Sequence, residues 1–135
     1  MNSALLQPFR FILVGIVNTL VGLTVIFAAK GIVGLDDFVS NLLGYGFGLL
    51  LSFFLNKEWT FRHNGRISPT AMRFGIAFLL SCIANLMTVY GLRDGVGLNS
   101  YLAQALGIAP YTLIFYLICR YYVFPENHGR GLAQR

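Results

Sequence analysis

The feature that most constrains this chain is a set of four stretches of equal length that contain no charged side chain: residues 11–29, 38–56, 74–92 and 101–119. With a rise of about 1.5 Å per residue, a helix over one such stretch is roughly 28 Å long, close to the ~30 Å hydrocarbon core of a bilayer. The composition agrees, because 56% of the residues are hydrophobic and only 11% are charged, unlike an ordinary soluble domain. The sequence therefore predicts an all-α integral membrane protein in which residues 1–135 form a single domain with four transmembrane helices.

The ten basic residues are distributed unevenly over the two sides that the spans define. Lys30 and Arg93 lie on one side, and the other eight lie on the opposite side. Because cytoplasmic loops are enriched in Lys and Arg, both termini and the loop 57–73 are predicted to be cytoplasmic. The net charge of +5 is thus explained by topology, and we expect no nucleic-acid partner.

The second half of the chain repeats the first when Arg10 is aligned with Arg73 and no gap is introduced. Segments 10–61 and 73–124 then align, all four span boundaries superpose, and Lys57 falls on Arg120. Each repeat is a hairpin of two helices, which returns to the side where it began. The repeats are therefore predicted to be parallel, related by a pseudo-two-fold axis along the membrane normal.

Small and polar residues recur at helical spacing within the spans, which predicts the faces that pack. They are Gly15, Asn18 and Gly22 in the first span, Gly44, Gly48, Ser52 and Asn56 in the second, Ser81, Asn85 and Thr88 in the third, and Gln104, Gly107 and Tyr111 in the fourth. Because small residues let transmembrane helices approach closely, helix packing is the main interpretation for the glycines. The face of Gly44 and Gly48 is also a candidate seam of a homodimer. For Asn18 and Asn85, packing and contact with a substrate are equal alternatives, since an amide at membrane depth is tolerated mainly inside a bundle.

The spans lack the side chains that catalysis or proton coupling would need. None of them contains Asp, Glu, His, Lys or Arg, so a membrane-embedded carboxylate for proton-driven export has no candidate. Cys82 and Cys119 lie on different spans and at different depths, which argues against a disulfide or a metal site. We therefore expect that the chain is not an enzyme and that it uses no metal and no cofactor.

A cation stands at the predicted cytoplasmic end of each span, and aromatic residues accompany the cations. The cations are Arg10, Lys57, Arg73 and Arg120, and the nearby aromatic residues include Trp59 and Tyr122. Snorkelling cations and an aromatic belt are also typical of any helix end at a membrane interface, and this alternative stays open. The equivalence of the cations across the repeat favours a phosphate site, in which guanidinium groups donate paired hydrogen bonds and rings stack on a sugar.

Two motifs of this chain resemble the GtrA-like family. They are residues 10–19, with the sequence RFILVGIVNT, and residues 56–61, with the sequence NKEWTF. The similarity extends over essentially residues 6–125. One departure is Cys119, which occupies the place that Asn56 has in the first repeat.

The resemblance implies a role in cell-surface polysaccharide synthesis at a bacterial inner membrane. The implied activity is the movement of a sugar linked to polyprenyl phosphate, such as undecaprenyl-phosphate-glucose, from the cytoplasmic to the outer leaflet. A membrane-bound glycosyltransferase would make this lipid inside. A scaffold that recruits the glycosyltransferase without transport is the first alternative, and a small-molecule exporter is a more distant one.

Candidate site residues follow from combining this role with the residue chemistry. Phosphate binding is expected of Arg10, Lys57, Arg73 and Arg120. Contact with the sugar, at the helix ends or in the polar interior, is expected of Asn18, Asn56, Trp59, Asn85, Gln104 and Tyr122.

Overall fold

Four long helices dominate the computed structural model, which describes residues 3–125 of the chain. They are α1 Ser3–Gly31, α2 Asp37–Leu55, α3 Ile67–Tyr90 and α4 Ser100–Ile118. A single π-helical turn follows three of them: Asn56–Thr60 after α2, Gly91–Gly95 after α3 and Cys119–Val123 after α4. This confirms the predicted all-α fold class of a multi-pass membrane protein. Two of the basic residues behind the predicted orientation, Arg130 and Arg135, lie outside the described residues.

The helical segments are longer than the charge-free stretches from which the spans were predicted. The segments apolar enough to cross a membrane are Leu6–Gly31, Asp37–Thr60, Ile67–Gly95 and Ser100–Val123, the shortest of which has 24 residues. Such a segment is roughly 36 Å long, so its ends extend beyond the ~30 Å hydrocarbon core. Polar residues at both ends can therefore reach the headgroup region while remaining helical.

The described helices form two compact units, Met1–Asn64 and Gly65–Arg135. In unit 1, α1 packs along α2, and in unit 2, α3 packs along α4. Each unit is thus a helical hairpin, as the repeat predicts. The orientation in the membrane, the single domain and the pseudo-two-fold axis stay predictions.

Both hairpins use a glycine in the left-handed conformation to end their first helical segment. Gly34 and Gly97 occupy equivalent positions of the two repeats and have φ values of 79° and 80°. Beside Gly34, the Leu35 N–H donates to the Ala29 carbonyl at 3.0 Å, and the equivalent bond in unit 2 has the same length. Glycine suits this C-terminal cap because it has no Cβ to oppose a positive φ.

Gly34→Ala and Gly97→Ala should each lower the free energy of unfolding by about 1–2 kcal/mol, the cost of a left-handed conformation with a Cβ. An added Cβ meets no atom within 4 Å at either position, so the backbone conformation alone sets the cost. Thermal denaturation of the purified protein in detergent measures it. Gly46→Ala is the matched control, because Gly46 also has open space around it but lies inside α2. Equal stability of all three variants would contradict the prediction.

The small-residue face of α2 packs against α1 within unit 1, as predicted. Gly44, Gly48 and Ser52 are buried. An ideal Cβ on Gly44 would lie 2.7 Å from the Gly22 carbonyl oxygen, and one on Gly48 would lie 2.8 Å from the Asn18 Oδ1. The helices can approach this closely only because both positions are glycine.

Two predictions about these faces are wrong. Gly15 is exposed and has no neighbour near its Cβ position, so it does not belong to the packing face of α1. Val14 occupies that face and is only 1% exposed. Val14 lies four positions before Asn18 and Gly15 lies three positions before it, so both fit helical spacing and the sequence pattern does not distinguish them. The face of Gly44 and Gly48 is covered by α1 and is therefore unavailable as a dimer seam.

Candidate functional site at one end of each hairpin

The π-helical turn after α2 gathers polar side chains at the end of unit 1 that is predicted to be cytoplasmic. The Phe61 N–H donates to the Asn56 carbonyl at 2.9 Å and closes this wider turn. Asn56, Lys57 and Thr60 are only 1%, 7% and 2% exposed. This π turn at the end of α2 thus withdraws three polar side chains from solvent.

Two oxygen atoms of this turn are buried without a hydrogen-bond partner among the residues that the structure describes. They are the Asn56 Oδ1 and the Thr60 hydroxyl oxygen. The Asn56 amide is otherwise oriented by its Nδ2, which donates to the Ser52 Oγ at 3.2 Å. Because a buried unsatisfied polar group costs about 1–3 kcal/mol, a ligand that bonds to these oxygens would gain affinity.

Lys57 places a cation in the same turn. Its ammonium nitrogen lies 2.7 Å from the Glu58 Oε1, and the Glu58 side chain is 65% exposed. An ammonium has three N–H donors, so this ion pair leaves donors for an anionic ligand. Glu58 thus orients the Lys57 ammonium from the solvent side of the turn.

Arg10 joins α1 to the π turn through Trp59. The Arg10 Cζ lies 5.5 Å from the centre of the Trp59 ring, within the range of a cation–π interaction. Its Nη1 also donates to the Trp59 carbonyl at 3.3 Å. The rings of Phe11 and Phe61, each the next residue along the chain from Arg10 and from the π turn, meet edge to face with their centres 6.2 Å apart. The unit 1 cluster, defined as Arg10, Asn56, Lys57, Trp59 and Thr60, therefore has a fixed guanidinium and a buried ammonium at one hairpin end.

Unit 2 has a related set of cation–aromatic contacts at the equivalent positions of the second repeat. The Arg73 Cζ lies 5.3 Å from the centre of the Tyr122 ring, at the positions that correspond to Arg10 and Trp59. Arg120 donates to the Tyr116 hydroxyl at 3.0 Å and lies 5.5 Å from the Tyr121 ring.

The interior of the π turn differs between the two units. Cys119 and Val123 occupy the positions that Asn56 and Thr60 have in unit 1, and both are 0% exposed. A thiol and an isopropyl group offer no strong acceptor for sugar hydroxyls. The cations of the two units are equivalent in position, but at the two buried positions of the π turn only unit 1 has side-chain oxygens, those of Asn56 and Thr60.

The structure separates the predicted interior residues from these clusters. Asn18 packs on Gly48 between α1 and α2, and its Oδ1 is buried without a partner among the described residues. Asn85 and Gln104 line a cavity near the opposite end of unit 2. The sequence analysis did not name Thr60, although it continues the four-residue spacing of Gly48, Ser52 and Asn56.

The chain matches the profile of a known protein family. A profile of the family described as GtrA/DPMS, transmembrane domain, matches residues 10–124. This range includes the unit 1 cluster and the corresponding residues of unit 2. No curated protein matches the chain.

Proposed function

The chain belongs to the GtrA/DPMS transmembrane-domain family, and we propose that it moves a polyprenyl-phosphate-linked monosaccharide across the bacterial inner membrane. The lipid would carry undecaprenyl phosphate or a related polyprenyl phosphate, and the sugar would be used outside for cell-surface polysaccharide synthesis or modification. The unit 1 cluster is the observation that supports this proposal. In this role the chain is a transporter and makes or breaks no covalent bond.

The chemistry of the cluster fits the head of such a lipid. A prenyl phosphosugar has one phosphodiester charge and several hydroxyl groups. Arg10 and Lys57 supply cationic donors for the phosphate, and charge-assisted hydrogen bonds of this kind are the stronger ones. The Trp59 ring, 42% exposed, can pack against the pyranose. The unpaired oxygens of Asn56 and Thr60 are buried in this structure and would bond to sugar hydroxyls once the head enters the turn.

The prenyl tail would stay in the lipid beside the hairpins. The outer faces of the helices are apolar, and in α1 alone Ile12, Ile16 and Leu20 are 51%, 53% and 61% exposed. An apolar face lets the tail slide along the helix while the head crosses the membrane. The head must cross without meeting an ionised group, and none of the charge-free stretches contains one.

Transport of this kind would be driven by removal of the product. The charge-free stretches contain no carboxylate that could couple the movement to protons. Synthesis of the lipid-linked sugar by a membrane-bound glycosyltransferase on one side and its consumption on the other would supply the gradient. The glycosyltransferase is therefore the expected functional partner, and a homodimer is compatible with the proposal.

A flipping assay tests the proposal directly. Proteoliposomes would carry undecaprenyl phosphoglucose in both leaflets, and periodate, which does not cross the membrane, would oxidise the exposed sugar. We expect the oxidised fraction to rise from about half in protein-free vesicles to nearly all with the protein, because flipping brings the inner pool to the surface. An oxidised fraction that stays at half, with a protein that still copurifies with its glycosyltransferase, would favour the scaffold function instead.

A further inference from the structure

Unit 2 contains a cavity of about 550 Å³ beside the turn between α3 and α4, at the end predicted to face outside. This volume is in the range of small-molecule sites, about 300–1,000 Å³. The polar and aromatic residues that line it are Asn85, Tyr90, Arg93, Ser100 and Gln104. The cavity is therefore at the opposite end of the hairpin from the cations of the candidate site.

The polar part of the lining has amides, a hydroxyl and a guanidinium, and the rest is the Tyr90 ring and the aliphatic side chains of Leu86, Val89, Ala105 and Ile108. Gln104 Nε2 donates to the Ser100 Oγ at 3.2 Å. The Arg93 Cζ lies 5.0 Å from the centre of the Tyr90 ring, and Asp94 accepts two hydrogen bonds from Arg93. Because a guanidinium has five N–H donors, three remain for a ligand. Amides and hydroxyls that converge near a cation suit a phosphorylated sugar.

Asn85, which lines the cavity, occupies the position that Gly22 has in the first repeat. An ideal Cβ on Gly107 would lie 2.9 Å from the Asn85 Nδ2, so α4 uses a glycine to make room for this amide. In unit 1 the equivalent residues are Gly44 and Gly22, whose backbones nearly touch. The position that holds a polar side chain in unit 2 is therefore closed by helix packing in unit 1.

The residues at the mouth of the cavity, Arg93 and Ser100, also differ from their equivalents in unit 1. In unit 1, Lys30 and Asp37 form an ion pair that joins the ends of α1 and α2. The equivalent residues of unit 2 are Arg93 and Ser100, and a serine cannot form an ion pair. Arg93 pairs instead with its neighbour Asp94, which leaves the space between α3 and α4 open.

We propose that this cavity binds the phosphosugar head of the transported lipid on the outer side of the membrane. The identity of the ligand rests on the proposed function. In this proposal the two repeats have different roles. Unit 1 binds the head first through its cluster, and unit 2 binds it before release. Asn85 and Gln104 would bond to sugar hydroxyls, and Arg93 would bind the phosphate.

Ser100→Asp tests this proposal by giving unit 2 the residue that closes unit 1. The new carboxylate would face Arg93 as Asp37 faces Lys30, and it would fill the mouth. Folding should be preserved, since an acidic residue in the first turn of a helix is favourable. Asp37→Ser is the matched control, because it removes the ion pair of unit 1 without touching the cavity. Gln104→Leu is a second variant, which removes an exposed hydrogen-bonding group without adding charge.

The readout is photocrosslinking in proteoliposomes with a short-chain prenyl phosphoglucose that carries a diazirine on the sugar. We expect crosslinks to residues 85–104 in the unmodified protein and in Asp37→Ser. Ser100→Asp and Gln104→Leu should reduce them about tenfold, the effect of losing one or two hydrogen bonds and access. Glucose 1-phosphate should compete poorly; equal competition would assign the cavity to soluble sugar phosphates and overturn a lipid-linked ligand.

The outcomes separate this inference from the proposed function. Crosslinks that follow the expected pattern in vesicles that do not flip lipid would support the cavity and reject transport. Normal flipping with crosslinks elsewhere, or with crosslinks that neither variant reduces, would reject the cavity and leave transport standing.

Discussion

Lys57→Ala is expected to reduce the rate of phosphosugar flipping about 10–100-fold while the amount of protein in the membrane stays nearly unchanged, because a hydrogen bond to a charged group is worth about 1.5–3 kcal/mol. Lys57 is the only buried cation among the side chains that the structure describes. It lies in the same π turn as the free oxygens of Asn56 and Thr60. Its loss would leave the phosphate without a desolvated partner. The oxidation assay measures the rate, and complementation of surface glycosylation in cells gives an independent readout.

Arg66→Ala is the matched control for the loss of one positive charge. Arg66 lies on the same predicted side of the membrane, but its side chain is exposed and outside the cluster. The Arg66→Ala variant should flip lipid at the rate of the unmodified protein. Arg10→Ala should resemble Lys57→Ala, whereas Arg73→Ala should cost less because the buried positions of the unit 2 π turn are Cys119 and Val123 instead of Asn56 and Thr60. Unmodified rates in both unit 1 variants would mean that these cations only anchor the helices at the interface.

The four helices could be predicted from the sequence because a segment within the bilayer excludes charged side chains. The packed face of α2 could be predicted because small residues recur there at helical spacing. The recurrence of small residues along α2 correctly predicted which face packs, since only glycine permits the approach of Gly44 to Gly22. The ends of the helices were not predictable from the absence of charge. The π turn Asn56–Thr60 contains Lys57 and Glu58, so a criterion that stops at the first charged residue ends one turn early.

The candidate site was predicted in part. Arg10 and Trp59 were named from the sequence, and the structure places them in contact. The burial of Lys57 was not foreseen, because a cation at a helix end ordinarily snorkels to water. It depends on how the π turn packs against α1, and no local pattern encodes that contact.

The sequence analysis named Asn85 and Gln104 but did not predict the cavity of unit 2, because it rested on the positions at which the two repeats match. Its causes are two mismatches between the aligned repeats: Asn85 in place of Gly22, and Ser100 in place of Asp37. Each replaces a contact that joins two helices with a side chain that leaves space between them. Under the proposed outer site, these two mismatches are the positions at which the copies differ in function.

Gly44→Leu should cause the largest loss of stability in the chain, beyond the ~1–3 kcal/mol typical of an overpacked core. A Cβ alone would lie 2.7 Å from the Gly22 carbonyl oxygen, and backbone cannot move aside as a flexible side chain can. The hairpin would have to open along its length, which would also separate Asn18 from Gly48. We expect the thermal transition in detergent to fall sharply and the protease resistance of unit 1 to be lost.

Gly46→Leu distinguishes this packing effect from any effect of leucine on insertion. Gly46 lies in the same helix with no atom within 4 Å of its Cβ position and is exposed. Leucine is favourable at the centre of a membrane helix by about 0.3–0.6 kcal/mol, so both variants should insert at least as well as the unmodified chain. Gly46→Leu should keep its stability and its flipping activity. If the two variants lost stability equally, the close crossing of α1 and α2 at Gly22 and Gly44 would not be what holds unit 1 together.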